Sequence, residues 1–389
     1  FATLPMVLRH LLRLPRGGRA VSTNLWCQGS RICSDVTEAI GKTPLVRLNR
    51  VMGSACQAKQ VLAKLEMQNP GGSVKDRISK AMIERAEARG LIHPSRTTVV
   101  EATSGNTGIG LAMVCAAKGY RCIIIMPQLP PMLERYIICR KLGAHVHLTA
   151  GAVGAPMVQN MFAHLTDLLE KNPEYWCPRQ FENDDNPAVH FETTGPEVWE
   201  QTGGEVDFFV AGAGTGATIA GAGKFLQQKN ANIINVCVEP EESRVLAGKS
   251  ADKHSVVGIG AGIELKFIEE LAPGKPFTDG PRGPINRFMS ASSDEAILWA
   301  NRLAVEEGLL VGPSTGAACK VACEIACTDE AKGKTIVVIF PSAGIRYVAH
   351  PMWAAAKEEA AAILAPPADL SNAPPMMRWK SEAYMPPQT

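Results

Sequence analysis

Short apolar runs alternate with longer stretches in which apolar residues recur every three or four positions. The runs VLAKLEM (61–67), TTVVEAT (97–103), RCIIIMP (121–127), HVHLT (145–149), DFFVAGA (207–213), INVCVEP (234–240) and TIVVIFP (335–341) are β-rich and bounded by turn residues. Each predicts a strand. Between them, helical spacing predicts helices over 107–118, 131–142, 158–171, 218–228 and 294–307. Such alternation predicts an α/β fold with mostly parallel sheets flanked by helices. No repeat of 20–50 residues is visible. The segment APGKPFTDGPRGP (272–284) reads as an exposed loop. Residues 358–389, Pro-rich toward the end and without a period, read as an extended tail.

Composition changes this picture little. The chain has 389 residues, 46% hydrophobic and 20% charged, which suits a globular protein of two domains. No apolar run approaches the roughly 18 residues of a membrane span. The formal net charge is +2, but its distribution is uneven. Residues 1–34 carry five arginines, no lysine and no acid; the remainder holds 35 basic against 38 acidic side chains. That excludes a basic nucleic-acid-binding surface by charge. The stretch FATLPMVLRHLLRLPRGGRAVS has the character of an organellar transit peptide, with a mitochondrial address favoured over a plastid or cytoplasmic location. A basic tail is the alternative. Eleven cysteines, an odd number without a CxxC pair, do not form a disulfide framework. Cys319, Cys323 and Cys327 share one helix face. Packing of that helix on a sheet is the commoner use of such residues, and metal binding the rarer.

Candidate chemistry begins at NPGGSVKDR (69–77). Ser73 and Asp76 have capping-box spacing, which predicts a helix starting near Ser73 and stopping at Gly90. Lys75 then lies in the first turn, against the positive end of the helix dipole. A surface lysine gains nothing there. A lysine that must lose its proton does, because the same field lowers its pKa and frees the amine as a nucleophile.

Two further strand-to-helix turns are polar and glycine-rich. EATSGNTGIG (101–110) gathers backbone N–H groups and the hydroxyls of Thr103, Ser104 and Thr107 around one point, a place for a carboxylate, with the amide of Asn106 beside it. VAGAGTGATIAGAG (210–223) has the small residues that allow close approach to a phosphate, with Thr215 and Thr218 adding hydroxyls. It has a rival reading: Gly212, Gly214 and Ala217 fit the G-x-G-x-x-A dinucleotide fingerprint, with Glu239 ending the next strand, so a nicotinamide-dependent oxidoreductase stays open. That reading leaves Lys75 and Asn106 unused. Pyridoxal 5'-phosphate uses all three turns: phosphate on the glycine-rich helix start, aldehyde on a partly neutral lysine, substrate carboxylate on the other anion pocket. In GLLVGPSTGAA (308–318), read as strand, turn and helix, Ser314 can offer a neutral hydroxyl to the pyridine nitrogen, or serve only as a polar helix cap.

With these motifs assembled, the chain resembles the cysteine synthases, the O-acetylserine sulfhydrylases among fold-type II pyridoxal phosphate enzymes. The likeness runs from about residue 36 to 357. It includes IGKTPLVRLN, NPGGSVKDRIS, EATSGNTGIGLA, RQFEN, HFETTGPEVW, GTGAT, GIGAG, EGLLVGPSTGAA and FPSAGIRY. The resemblance implies a tryptophan synthase β-like fold. A larger domain of residues 35–69 and 181–357 would hold the cofactor phosphate, and a smaller mobile one (70–180) would carry Lys75 and the substrate-carboxylate loop. It implies Lys75 as the catalytic Schiff-base lysine and Asn106 as partner of the cofactor's ring oxygen. Gly214, Thr215, Gly216, Ala217 and Thr218 would form the phosphate loop, with Ser314 opposite the ring nitrogen. Thr103, Ser104, Thr107 and Gln180 would hold the substrate carboxylate; no metal is implied. The implied reaction makes L-cysteine and acetate from O-acetyl-L-serine and sulfide by way of an α-aminoacrylate. A homodimer is expected, as is binding of the serine acetyltransferase C-terminal peptide, which leaves a non-catalytic binding role as a further alternative. β-Cyanoalanine synthases and cystathionine β-synthases are near relatives. Departures from the family pattern fall at Ala217, Pro313-Ser314-Thr315, Ala343-Gly344-Ile345 and QLPPMLER (128–135).

Overall fold

Among the described residues two separate sheets carry ten strands: β1 (Leu45–Arg47), β2 (Gln60–Leu65), β3 (Thr98–Ala102), β4 (Arg121–Pro127), β5 (His145–Thr149), β6 (Tyr175–Trp176), β7 (Phe208–Gly212), β8 (Ile234–Pro240), β9 (Ile285–Ala291) and β10 (Thr335–Phe340). They come from a computed structural model that describes residues 32–129, 132–150 and 155–363. The six-stranded sheet has the order β1-β2-β10-β7-β8-β9, and the four-stranded sheet β5-β4-β3-β6. Every pairing is parallel except that of β1 with β2. Parallel strands are covered on both faces, which is why β3, β4 and β10 read as continuous apolar runs.

The covering helices are α1 (Lys75–Ala88), α2 (Asn106–Lys118), α3 (Leu133–Lys141), α4 (Ala155–Lys171), α5 (Asp185–Val189), α6 (Gly195–Gln201), α7 (Ala217–Lys229), α8 (Lys266–Glu269), α9 (Ser293–Glu307), α10 (Pro313–Ala326) and α11 (Ala354–Ile363). On one face of the larger sheet, Val210, Val238 and Val338 pack against Ala296, Leu303, Cys319 and Ala322 of α9 and α10. On the other, Phe209, Cys237 and Ile339 meet Ile219, Ala222 and Leu226 of α7. The smaller sheet has its own pair of cores, one with α2 and one with α4.

The seven strands and five helices of the alternating pattern form, with ends displaced by a few residues. The sequence reading missed β1 and β6, too short to show a period, and β9, whose buried positions recur every third residue rather than every second. The run 308–312 is no strand; only Val311 makes a bridge, to Ala343. Residues 358–363 of the expected tail continue α11. The expected capping box at Ser73 and Asp76 is not made. Val74 is the N-cap without a side-chain bond, and Asp76 Oδ2 instead accepts from Gly71 N at 2.6 Å. The loop 272–284 is held down by Arg282, which donates to the carbonyls of Ala272, Lys275 and Pro276. Among the described residues no helix is long and apolar enough to cross a membrane, and no cluster of three or more metal-ligating side chains occurs. Cys319 is buried in the core between α10 and the sheet. The predicted address (1–34) lies outside the described residues up to residue 31, as do Pro130 and Pro131.

Candidate active site

Parallel strands end together, and in open α/β sheets the crevice beyond their carboxyl ends is where ligands bind. Two loops leaving the larger sheet and the link between α9 and α10 meet there. The loop after β2 leads to Lys75, and it is sewn to the loop after β10 by Val74 N→Pro341 O (2.8 Å) and Ala343 N→Gly72 O (3.2 Å). That second loop also receives the segment before Ser314, through Gly312 N→Ser342 O (3.0 Å) and Gly344 N→Leu310 O (2.9 Å). Residues 72–75, 310–314 and 341–347 thus form one rigid floor.

Lys75 is the first residue of α1 and half-buried. Burial pushes its ammonium down to about 8. The lowering was expected from the helix dipole; loss of water contact is its cause here. Behind Lys75, Arg77 is locked between carboxylates. It donates to Glu66 (Nε to Oε2 at 2.7 Å) and to Glu197 (NH1 to Oε1 at 2.7 Å), and Lys64 donates to Glu197 at 2.7 Å. Arg77 holds the Glu66 carboxyl down at about 2 although the group is fully buried. This network ties the start of α1 to β2 and α6.

Asn106 begins α2, one residue earlier than the periodicity predicts. Its Oδ1 accepts from Arg346 NH1 at 3.0 Å, and its Nδ2 donates to Tyr347 OH at 3.1 Å. Thr107 is buried and its hydroxyl donates to Gln180 Oε1 at 2.6 Å; Thr103 Oγ1 accepts from Gly105 N at 3.2 Å; Ser104 is half-exposed beside them. The helix has no side-chain cap, so its first N–H groups face the loop unpaired by any cap. Thr103, Ser104, Thr107 and Gln180 are thus brought together.

The phosphate-type turn lies between β7 and α7. A Cβ on Gly214 would stand 2.5 Å from the carbonyl oxygen of Gly258, so the GTGAT and GIGAG loops touch only because residue 214 lacks a side chain. Gly216 is the N-cap at φ +80°, a conformation that favours glycine. Thr215 Oγ1 accepts from Asn186 Nδ2 at 3.3 Å, and the same amide donates to Gln180 O at 2.7 Å. Thr218 Oγ1 contacts Nε2 of His190 at 3.2 Å; Nδ1 of that ring meets Thr194 Oγ1 at 2.9 Å. His190 opens a π-helical segment, His190–Thr194. Burial, then the charges of Arg77 and Lys75, push its imidazolium down to about 3, so the ring is neutral. Ala217, the departure from the family glycine, is buried beside Phe267 and Ala220. Ser314 is buried in the first turn of α10. A Cβ on Gly258 would be 3.6 Å from its hydroxyl, so Ser314 adjoins the GIGAG loop, which in turn touches Gly214.

Thr107, Gln180 and Thr215 are thus joined through Asn186, and Gly214 and Ser314 both approach Gly258. Four side chains that were not named contact residues that were: Asn186, His190, Arg346 and Tyr347. Their motifs RQFEN, HFETTGPEVW and FPSAGIRY were visible, but which side chains turn inward is decided by tertiary packing. The dinucleotide alternative loses its acid: Glu239 is buried, and its Oε1 accepts from Leu246 N at 2.8 Å.

A family model described as "Pyridoxal-phosphate dependent enzyme" matches residues 36–342. The chain belongs to the pyridoxal-phosphate-dependent enzymes. It is 43% identical over 320 residues to a cysteine synthase of Staphylococcus aureus, covering 82% of this chain and 96% of that one. Among solved structures it resembles O-acetylserine sulfhydrylase isoform 3 from Entamoeba histolytica (TM-score 0.76, 35% identity, 84% of this chain and 92% of that one). It also resembles a hydrogen sulfide-producing enzyme from Fusobacterium nucleatum (TM-score 0.74, 36% identity, 82% and 99%). An O-acetylserine-dependent cystathionine β-synthase from Helicobacter pylori is similar at TM-score 0.74, 33% identity, 83% and 99%. The donor set fits the family's cofactor. It offers a lysine with a lowered pKa, a glycine cradle with two threonine hydroxyls, an amide with a second N–H, and a buried neutral hydroxyl.

Proposed function

We propose that this pyridoxal-phosphate-dependent enzyme catalyses β-replacement, forming L-cysteine and acetate from O-acetyl-L-serine and sulfide. The observation that carries the reading is the 43% identity to a cysteine synthase over 96% of that enzyme's length. Lys75 would hold the cofactor, and Gly214–Thr218 its phosphate, with Asn106 and Ser314 on the ring. When bound, the cofactor supplies electron withdrawal from the substrate's α-carbon. The protein's own groups do the rest. The uncapped turn 103–107 and Gln180 bind the substrate carboxylate and orient the Cα–H bond. The Lys75 amine, with its lowered pKa, takes the α-proton as acetate departs from the β-carbon. Sulfide then adds at that carbon, and Lys75 returns the proton. Release of acetate before sulfide binds makes the kinetics ping-pong. Ser314, as a neutral partner, favours elimination and addition at the β-carbon over chemistry that needs a long-lived carbanion.

The deciding experiment offers O-acetylserine with sulfide, cyanide or homocysteine separately and identifies the product. Cysteine as the fastest-formed product supports the reading; faster β-cyanoalanine or cystathionine formation overturns the choice of second substrate. The same reading includes a homodimer, a mobile smaller domain (70–180) and capture of the serine acetyltransferase C-terminal peptide, each resting on the family resemblance. A mitochondrial address rests on the Arg-rich, acid-free residues 1–34.

A further inference from the structure

Arg346 is a buried charged side chain of the site for which the reaction above has no task. It is buried, 9% exposed, and its guanidinium lies across the backbone of Gly72: a Cβ there would meet NH2 at 2.9 Å. Its hydrogen bond is NH1 to Asn106 Oδ1, at 3.0 Å. Burying a cation is expensive; the nearby Asp76 carboxylate offsets part of that cost, and toward Asn106 a neutral donor would satisfy the amide oxygen equally well.

The chemistry of the contact explains the choice. A guanidinium only donates, so the Asn106 atom facing it must be oxygen. That fixes which way the amide is turned. Nδ2 must then face the other side, where one of its hydrogens goes to Tyr347 OH. The phenol is in turn 2.8 Å from Ser342 Oγ and lies under the Arg135 guanidinium, 5.0 Å from the ring centre. The second Nδ2 hydrogen has no partner among the described residues. A buried cation on the oxygen end also polarises the amide and strengthens its N–H donors.

We propose that Arg346 is a positioning residue that locks the Asn106 amide with its NH₂ toward the cofactor and strengthens donation to an anionic ring oxygen. The inference rests on the assignment of Asn106 to the cofactor. Without Arg346 the amide can turn over and present an oxygen to that anion.

The test uses the holoenzyme, reading the visible absorption band of bound cofactor and cofactor affinity by titration. Arg346→Gln shifts the band in the same direction as Asn106→Ala and weakens cofactor binding roughly 2- to 10-fold, the worth of one hydrogen bond. The double variant adds nothing beyond Asn106→Ala, and Arg346→Lys, which keeps a buried donor cation, returns part of the shift. A parental band and affinity in Arg346→Gln, or additive effects in the double variant, overturn the proposal. An unchanged band in Asn106→Ala refutes the assignment of Asn106 instead. Should Arg346→Gln not fold, Arg346→Lys carries the test: an intermediate shift is the expected result, and a parental band contradicts it.

Discussion

Lys75 carries the account at the scale of single residues. Its amine is held down to about 8 by burial, against an ordinary lysine value of 10.5. Cofactor-free enzyme should therefore reload in proportion to its neutral amine: the rate rises with pH and levels off above about pH 8 rather than above 10. Stopped-flow absorbance measures it, and a rate still rising steeply at about pH 10 contradicts the lowered pKa. Lys75→Ala removes the base and should lower turnover by roughly 10²–10⁴-fold. A variant that works at the parental rate refutes the role. Ser314→Asp places an acid where a neutral hydroxyl stands, so it should change the cofactor band and slow the reaction; an unaltered band and rate would remove Ser314 from the site. The departure at Ile345 reads differently once its position is known. The side chain is 64% exposed, whereas Arg346 and Tyr347 beside it turn inward, so that change leaves the crevice untouched.

Arg77, Glu66, Glu197 and Lys64 join α1 to β2 and α6 in a buried lattice of ion pairs. Removing one member strands a charge, so Glu66→Ala should cost about 3–5 kcal/mol in urea melts. The sign with pH follows from the lowered carboxyl. Glu66 titrates near 2 when folded and near 4.5 when free, so its contribution is full above about pH 4.5 and is lost as pH falls through about 2. A melt with the same cost at pH 7 and below pH 2 would contradict this. The α9–α10 seam depends on Gly316, where a Cβ would sit 1.9 Å from Ala296 O. Gly316→Ala should lose about 1–3 kcal/mol by forcing the helices apart. Here the limits of the sequence are plain. The existence of α2, α7 and α9 was legible in apolar spacing, but Asp76 looked like half of a capping box and turned instead to Gly71. A side chain with two backbone N–H groups in reach obeys the loop that presents the better one, and periodicity does not encode that.

For the whole molecule, two mostly parallel sheets were legible because both faces of each are covered and the strands show as apolar runs. Edge strands β1, β6 and β9 were not, since β1 and β6 are too short to show a period and β9 buries every third residue rather than every second. The candidate site was legible wherever glycine, hydroxyl and lysine stand at a strand-to-helix turn. It was not legible where a side chain reaches a site residue from a distant part of the sequence, as Asn186 does Thr215, His190 does Thr218 and Arg346 does Asn106. Everything proposed for the reaction depends on one bond, between the cofactor and Lys75. Borohydride reduction of the native holoenzyme, followed by peptide mass mapping, tests it most directly. The cofactor's added mass should appear on the peptide containing Lys75 and on no other; its appearance on a different lysine, or on none while the enzyme is active, contradicts the account.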